Sequence, residues 1–392
     1  MTLIASVKAT PVNIPFRAPY RFAYGSTASL TKTIVEVQTV DGVVGLGEAA
    51  DGDTSTTIHM LGERLVGLDA RDLNECERRC VPGMSFAPWD NLTALRRAYG
   101  AIEIALWDIQ AKEQNVPLHQ LLGGPVRTEI ALTEYFAFRL PGHDEPGEAT
   151  PTDIARYCAR MVDEFDADGF EGKLGTLPLA QEAQMVREVR AAIGEDRMLR
   201  LDANGGFTVA TALAYWHAIA PYGIRTFEDP VDTFEEMQRL RPHIPATFST
   251  HNPDLRRAVD LGVPDAFVCN LVELGGIRRT VDFIRACEMF GIAFWFHSHE
   301  AGVASAAYLQ LSAALEPVRE PSQTLFRWLT DDVTTAGPLV PRRGVVAVPD
   351  GPGLGVELDP AALKRCHQRY LDEGAFPTGT PGSHYGSGFR RV

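Results

Sequence analysis

Four short apolar runs in the second half of the chain end in ionisable residues, and this constrains the fold more than any other feature. They are residues 169–175, carrying Glu171 and Lys173; 198–204, carrying Asp202 and Asn204; 225–230, carrying Glu228 and Asp229; and 293–299, carrying His297 and His299. A charge closing a buried strand is poor core material. It is what a barrel strand looks like when its C-terminal tip delivers a chemical group to a shared mouth. From residue 129 onward, strand patterns alternate with helical ones about every 25 residues, the signature of a parallel sheet covered by helices.

The predicted architecture is therefore α/β: a modified TIM-type (β/α) barrel over residues 129–337 behind an N-terminal α+β capping domain over 1–128. A C-terminal segment, 338–392, is expected to return to the capping domain and to end in a Gly- and Pro-rich tail or oligomer arm. Barrel strands are predicted at 131–135, in the first three charged runs, at 246–250 and 266–270, in the His297 run and at 322–328, which makes eight. In the capping domain, residues 3–12 read as a strand, and 32–39 and 43–49 as a hairpin about Asp41-Gly42. Residues 91–115 place apolar side chains at helical spacing. Residues 19–26 read as an aromatic loop, either a satellite hydrophobic cluster or a lid over a ligand.

Composition sets the partners. With 392 residues, 45% hydrophobic and 22% charged, the chain can bury one large barrel core and a smaller domain. Its 37 basic residues against 51 acids give a net charge of −14, with no basic run, so nucleic acid is not an expected partner. No apolar run approaches the roughly 18 residues of a membrane span, and the first residues lack the pattern of a signal peptide. A cytoplasmic protein, as a homo-oligomer, is expected. The six cysteines are scattered and read as reduced structural thiols, Cys76 and Cys80 sharing a helix face.

The ordered set Ala101-Ile102-Glu103-Ile104-Ala105-Leu106-Trp107-Asp108, Lys173, Asp202-Ala203-Asn204, Glu228-Asp229-Pro230 and His297 resembles the enolase superfamily, in particular its mandelate racemase and glucarate dehydratase branch. The last four motifs lie 29, 26 and 69 residues apart. The resemblance implies abstraction of the proton alpha to a substrate carboxylate, with one magnesium ion taking up the charge that develops on its oxygens. It implies Asp202 and Glu228 as hard oxygen ligands of that ion, Lys173 as the base, and His297 as the acid on the opposite face. Asn204, two residues beyond Asp202, is expected to contact substrate or order the metal ligands. His299, Tyr20, Arg21, Tyr24 and the Asp51-Gly52-Asp53 loop are candidates to line the mouth.

The chain departs from the family pattern in three places. The first lysine of the Lys-x-Lys pair is Glu171, expected beside Lys173 and neutralised by an arginine, a bound cation or a cationic group of the substrate. The aspartate that supports the histidine is Asn270. The third metal ligand falls in Thr250-His251-Asn252, with His251 preferred and Asn252 the alternative. The electrophile near the eighth strand falls around Thr330 and Asp331. These features imply a magnesium-dependent dehydratase of a polyhydroxylated acid. A racemase or epimerase on the same scaffold, or a barrel that only binds a ligand, are the alternatives.

Overall fold

The computed structural model describes residues 2–49, 52–83, 92–142, 145–297 and 299–376. Asp51 and the tail beyond residue 376 lie outside them. The chain opens with an antiparallel sheet of three strands, β1 (Ile4–Phe22), β2 (Gly25–Thr39) and β3 (Val44–Ala49). β1 is far longer than the strand read at 3–12. It continues through a register irregularity between Pro15 and Tyr20 and pairs with β2 to the last turn, Phe22 opposite Gly25. Residues 19–26 are therefore the tip of a hairpin, not a loop.

The helix Leu92–Glu113 lies against β3. The approach is close enough that a Cβ on Gly47 would come within 2.0 Å of the Ala101 carbonyl oxygen. Only glycine fits there.

After a short strand β4 (Glu129–Ala131), seven parallel strands form one curled sheet in chain order: β5 (Glu134–Phe136), β6 (Gly169–Lys173), β7 (Met198–Asp202), β8 (Thr226–Glu228), β9 (Thr247–Thr250), β10 (Ala266–Cys269) and β11 (Ala293–Phe296). Helices follow the strands, and their starts are written in the sequence. Thr150, Thr208, Thr233, Asp254 and Asn270 each accept a hydrogen bond from the backbone N–H three residues on, satisfying a group the first turn leaves unpaired.

The predicted first strand is divided. β4 pairs with β12 (Val345–Ala347), the returning C-terminal segment, while β5 joins the parallel sheet. The predicted eighth strand does not form. Instead Ser322 and Gln323 bridge the gap: Gln323 N–H donates to Phe296 O at 2.9 Å, and Thr133 N–H donates to Ser322 O at 2.9 Å. The chain then turns through the 3₁₀ segment Phe326–Trp328, seating Trp328 where its Nε1–H donates to the Tyr157 hydroxyl at 3.0 Å. A strand continuing straight would have lost that buried contact.

Two glutamates of the capping domain dock onto barrel helices. Glu48 accepts Ala301 N–H at 2.7 Å and Ala304 N–H at 2.9 Å at the start of helix Gly302–Ala314. Glu103 accepts Ile277 and Arg278 N–H at 2.6 and 3.1 Å at the start of helix Ile277–Met289. Carboxylates suit that end of a helix, where N–H groups are unpaired and the dipole is positive. All six cysteines are buried and unpaired. No helix among the described residues is long and apolar enough to cross a membrane.

Candidate active site

Register assembles the site. Parallel pairing puts Lys173 beside Asp202 and Asp202 beside Glu228 at the C-terminal ends of β6, β7 and β8. Because side chains alternate along a strand, the residues two positions earlier form a second layer deeper in the barrel. There Glu171 stands beside Arg200.

In the upper layer, ligand atoms of Asp202, Glu228 and His251 all lie within 4.8 Å of one another. Both carboxylates are fully buried. Asn204 grips Asp202 with its backbone N–H (2.7 Å to Oδ1) and its side-chain amide (2.8 Å to Oδ2), leaving its own buried Oδ1 without a partner. It does so from a turn at φ +47°, not from extended strand; Asp229, directly after Glu228, has φ +35°. Left-handed backbone at non-glycine residues is costly and concentrates at functional sites.

His251 Nδ1 lies 2.9 Å from Val268 O, which can only accept, so Nδ1 carries the hydrogen and Nε2 faces Glu228 Oε1 at 2.8 Å. Burial acts to lower the imidazole pKa, yet Glu228, Asp229 and Asp202 together push it up to about 10. Burial, and then Asp202, hold the Glu228 carboxyl above its ordinary range. Two carboxylates and an imidazole nitrogen gathered this closely suit a divalent cation. Asn252, the alternative third ligand, is exposed.

Lys173 is buried and in contact through Nζ with Asp202 Oδ2, with the Tyr135 ring centroid 5.5 Å away. Burial works to lower its pKa, but Asp202 and Glu228 outweigh it and hold the ammonium above the usual lysine value. Lys173, expected as the base, is thus held in its charged form by these two carboxylates.

Glu171 has partners of its own. It turns to the deeper layer, 3.7 Å from Arg200 Nη1, and accepts hydrogen bonds from Gln323 Nε2 and, at 3.4 Å, Thr133 Oγ1. An arginine, one of the three neutralisers expected, thus lies beside it. Burial and the nearby Glu228 raise its pKa well above the normal range, with Arg200 opposing.

Gln323 also donates to Glu228 Oε2 at 2.9 Å, so one amide ties both glutamates together. Arg200, fully buried, stacks 4.1 Å from the Trp295 ring centroid. Arg200, Gln323 and Tyr135 were absent from the sequence-based site. Arg200 had a signal, since it precedes Asp202 by two residues on one strand face; Gln323 had none.

His297 leaves the tip of β11 at the same end of the sheet as Lys173, its ring 4.7 Å from that of His251. Asn270 caps the helix after β10, its Oδ1 accepting Glu273 N–H at 2.8 Å. Beside these, His299 Nε2 lies 2.9 Å from the Tyr20 hydroxyl within a buried cluster of Phe16, Phe22 and Trp328. Tyr24 packs on Phe22, and Arg21 donates to Thr176 O at 2.9 Å, so the hairpin tip reaches the loop beyond β6.

Asp53 accepts Ser55 N–H and the Tyr370 hydroxyl. Asp331 faces Arg365 and Arg369 of the C-terminal helix Pro360–Glu373 and is not turned to the strand tips.

Fold and donors define a capped (β/α) barrel with a divalent-cation site at the C-terminal ends of its strands. Within that class the chain belongs to the mandelate racemase / muconate lactonizing enzyme branch of the enolase superfamily. Residues 4–123 match the N-terminal domain of that name, and residues 153–362 match the enolase C-terminal domain-like family.

Among its relatives, a probable glucarate dehydratase of Streptomyces coelicolor is 26% identical, the match covering 87% of this chain and 86% of the relative. A chloromuconate cycloisomerase of Pseudomonas putida is also 26% identical, over 92% and 98%. A solved enolase from Pseudomonas fluorescens, holding magnesium, potassium and tartrate, superposes with a TM-score of 0.86 at 28% identity, over 95% of this chain and 93% of that one. These names cover a dehydration and a cycloisomerisation, so the scaffold serves more than one reaction.

Proposed function

We propose that the protein is a divalent-metal-dependent dehydratase of a polyhydroxylated carboxylic acid. The observation that carries this is the placement of Lys173 and His297 on different strand tips around one donor cluster, Asp202, Glu228 and His251. The Pseudomonas fluorescens neighbour holds magnesium and a dihydroxy diacid, tartrate. Asp202, Glu228 and His251 would hold a divalent ion such as magnesium, which would supply positive charge against the substrate carboxylate and offset the carboxylates that keep Lys173 protonated.

Lys173, neutral, takes the proton alpha to the carboxylate. His297 gives a proton to the departing beta hydroxyl, leaving an enol that tautomerises to the 2-keto acid. Asn204 fixes Asp202 and Gln323 fixes Glu228, so the donors do not reorganise as charge develops.

A screen of the purified protein against acid sugars, read as 2-keto acid in deuterated water, tests this. His297→Asn should keep alpha-proton exchange and stop loss of hydroxide. Wild-type product of inverted alpha configuration, carrying deuterium with its hydroxyl intact, would mean epimerisation instead.

A further inference from the structure

We propose that His251 sets the metal preference of this site, ranking first-row transition-metal dications such as cobalt(II) and manganese(II) above magnesium. The inference rests on the metal-centre part of the functional reading and is independent of the reaction. Its basis is the tautomer. Val268 O fixes the hydrogen on Nδ1 at 2.9 Å, so the neutral ring presents the Nε2 lone pair, and it does so toward Glu228 Oε1 at 2.8 Å. A carboxylate oxygen can only accept.

Two acceptors do not face each other at that distance without a cation between them, whether a proton or a metal ion. Asp202, whose ligand atom completes the group within 4.8 Å, adds a further acceptor. The backbone carbonyl behind the ring is the partner that metal-bound imidazoles use to hold orientation. Magnesium is a hard ion that favours oxygen and gains little from imidazole, whereas ions from manganese to zinc accept nitrogen in the rising order of that series. Replacing an oxygen donor by Nε2 therefore tilts the site away from magnesium.

The test uses the full chain, stripped with chelator and without substrate. Calorimetric titration with magnesium and cobalt(II) should give a cobalt Kd at least about 100-fold lower, and His251→Glu should shrink that ratio at least about tenfold by weakening cobalt and strengthening magnesium. Pulsed electron paramagnetic resonance of the manganese-loaded wild type should show nitrogen hyperfine coupling from a directly bound imidazole.

An unchanged ratio in His251→Glu, or manganese bound at the site without nitrogen coupling, overturns the proposal. Should the variant fail to fold, the wild-type spectrum decides alone. Manganese bound without nitrogen coupling, together with dehydratase activity, would reject His251 and leave the metal-centre reading standing. Failure of every acid-sugar substrate would have no bearing on the spectrum.

Discussion

Buried acids occur in two regions of this molecule, and they differ in what their oxygens meet. At the junction between capping domain and barrel, the oxygens of Glu48 and Glu103 accept N–H groups: Ala301 and Ala304 for the first, Ile277, Arg278 and Trp107 Nε1 for the second. At the strand tips, Glu228 Oε1 meets an imidazole nitrogen and Asn204 Oδ1 meets nothing. A carboxylate whose oxygens are all satisfied by donors is finished as structure. One that faces other acceptors is complete only with a cation. Burial is equal in the two places, and Asp202 too is met by donors from Asn204 and Lys173, so it is Glu228 Oε1 and Asn204 Oδ1 that set the strand tips apart from the junction.

The largest effect expected from breaking this distinction is chemical. Lys173→Ala should lower exchange of the substrate alpha proton by at least about a thousandfold, read by proton NMR in deuterated water, while circular dichroism stays native because the junction is untouched. Exchange at the wild-type rate would remove Lys173 from the proposed role.

Next comes Glu171→Lys, which restores the family pattern but sets a second cation against the buried Arg200 guanidinium. Urea melts should show a loss of about 3–5 kcal/mol, the usual result of stripping a buried charge of its partner. Unchanged stability would mean that Arg200 is balanced by Glu320 alone, 3.1 Å away on its other side.

Glu228→Gln sharpens the comparison. It removes a buried charge that Asp202 already disfavours, so the thermal midpoint without metal should hold or rise, and the stabilisation gained on adding a divalent ion should disappear. A structural acid would behave in the opposite way.

The smallest effect is at the junction. Glu103 is raised by burial from 4.5 to about 7 in the fold, against the pull of its N–H donors. Folding thus favours its protonated form: the stability it contributes is whole below pH 4.5 and is lost as pH rises toward 7. Glu103→Gln keeps an acceptor and does not titrate. Relative to wild type it should gain stability between pH 4.5 and 7.5, on the order of 1 kcal/mol per pKa unit at most. A flat difference across that range would mean that Glu103 is not perturbed.

Much of the site was legible in the sequence because strand ends are local. Lys173, Asp202, Glu228 and His297 each close an apolar run, and period-two alternation brings Glu171 and Arg200 to one layer. What could not be read depends on pairing between distant segments. The neutralisation of Glu171 required the register of β6 against β7. The false eighth strand had acceptable β composition, but Trp328 needed a turn to reach Tyr157, and tertiary contact overrode propensity. The aromatic hairpin reads as a loop in the sequence because Pro19 and Gly25 punctuate it, while its pairing partner lies only a few residues on.

The bridge at Ser322 and Gln323 has a consequence for the order of events during synthesis. Thr133 meets Ser322 across 189 residues, and the Gln323 amide that joins Glu171 to Glu228 reaches them across 152 and 95. A nascent chain halted before residue 322 would hold two buried glutamates facing each other with no amide between them, in a sheet whose first and last strands are still unjoined. Geometry thus makes the ring and the chemistry mature together, and an incomplete polypeptide is kept from acquiring half of either.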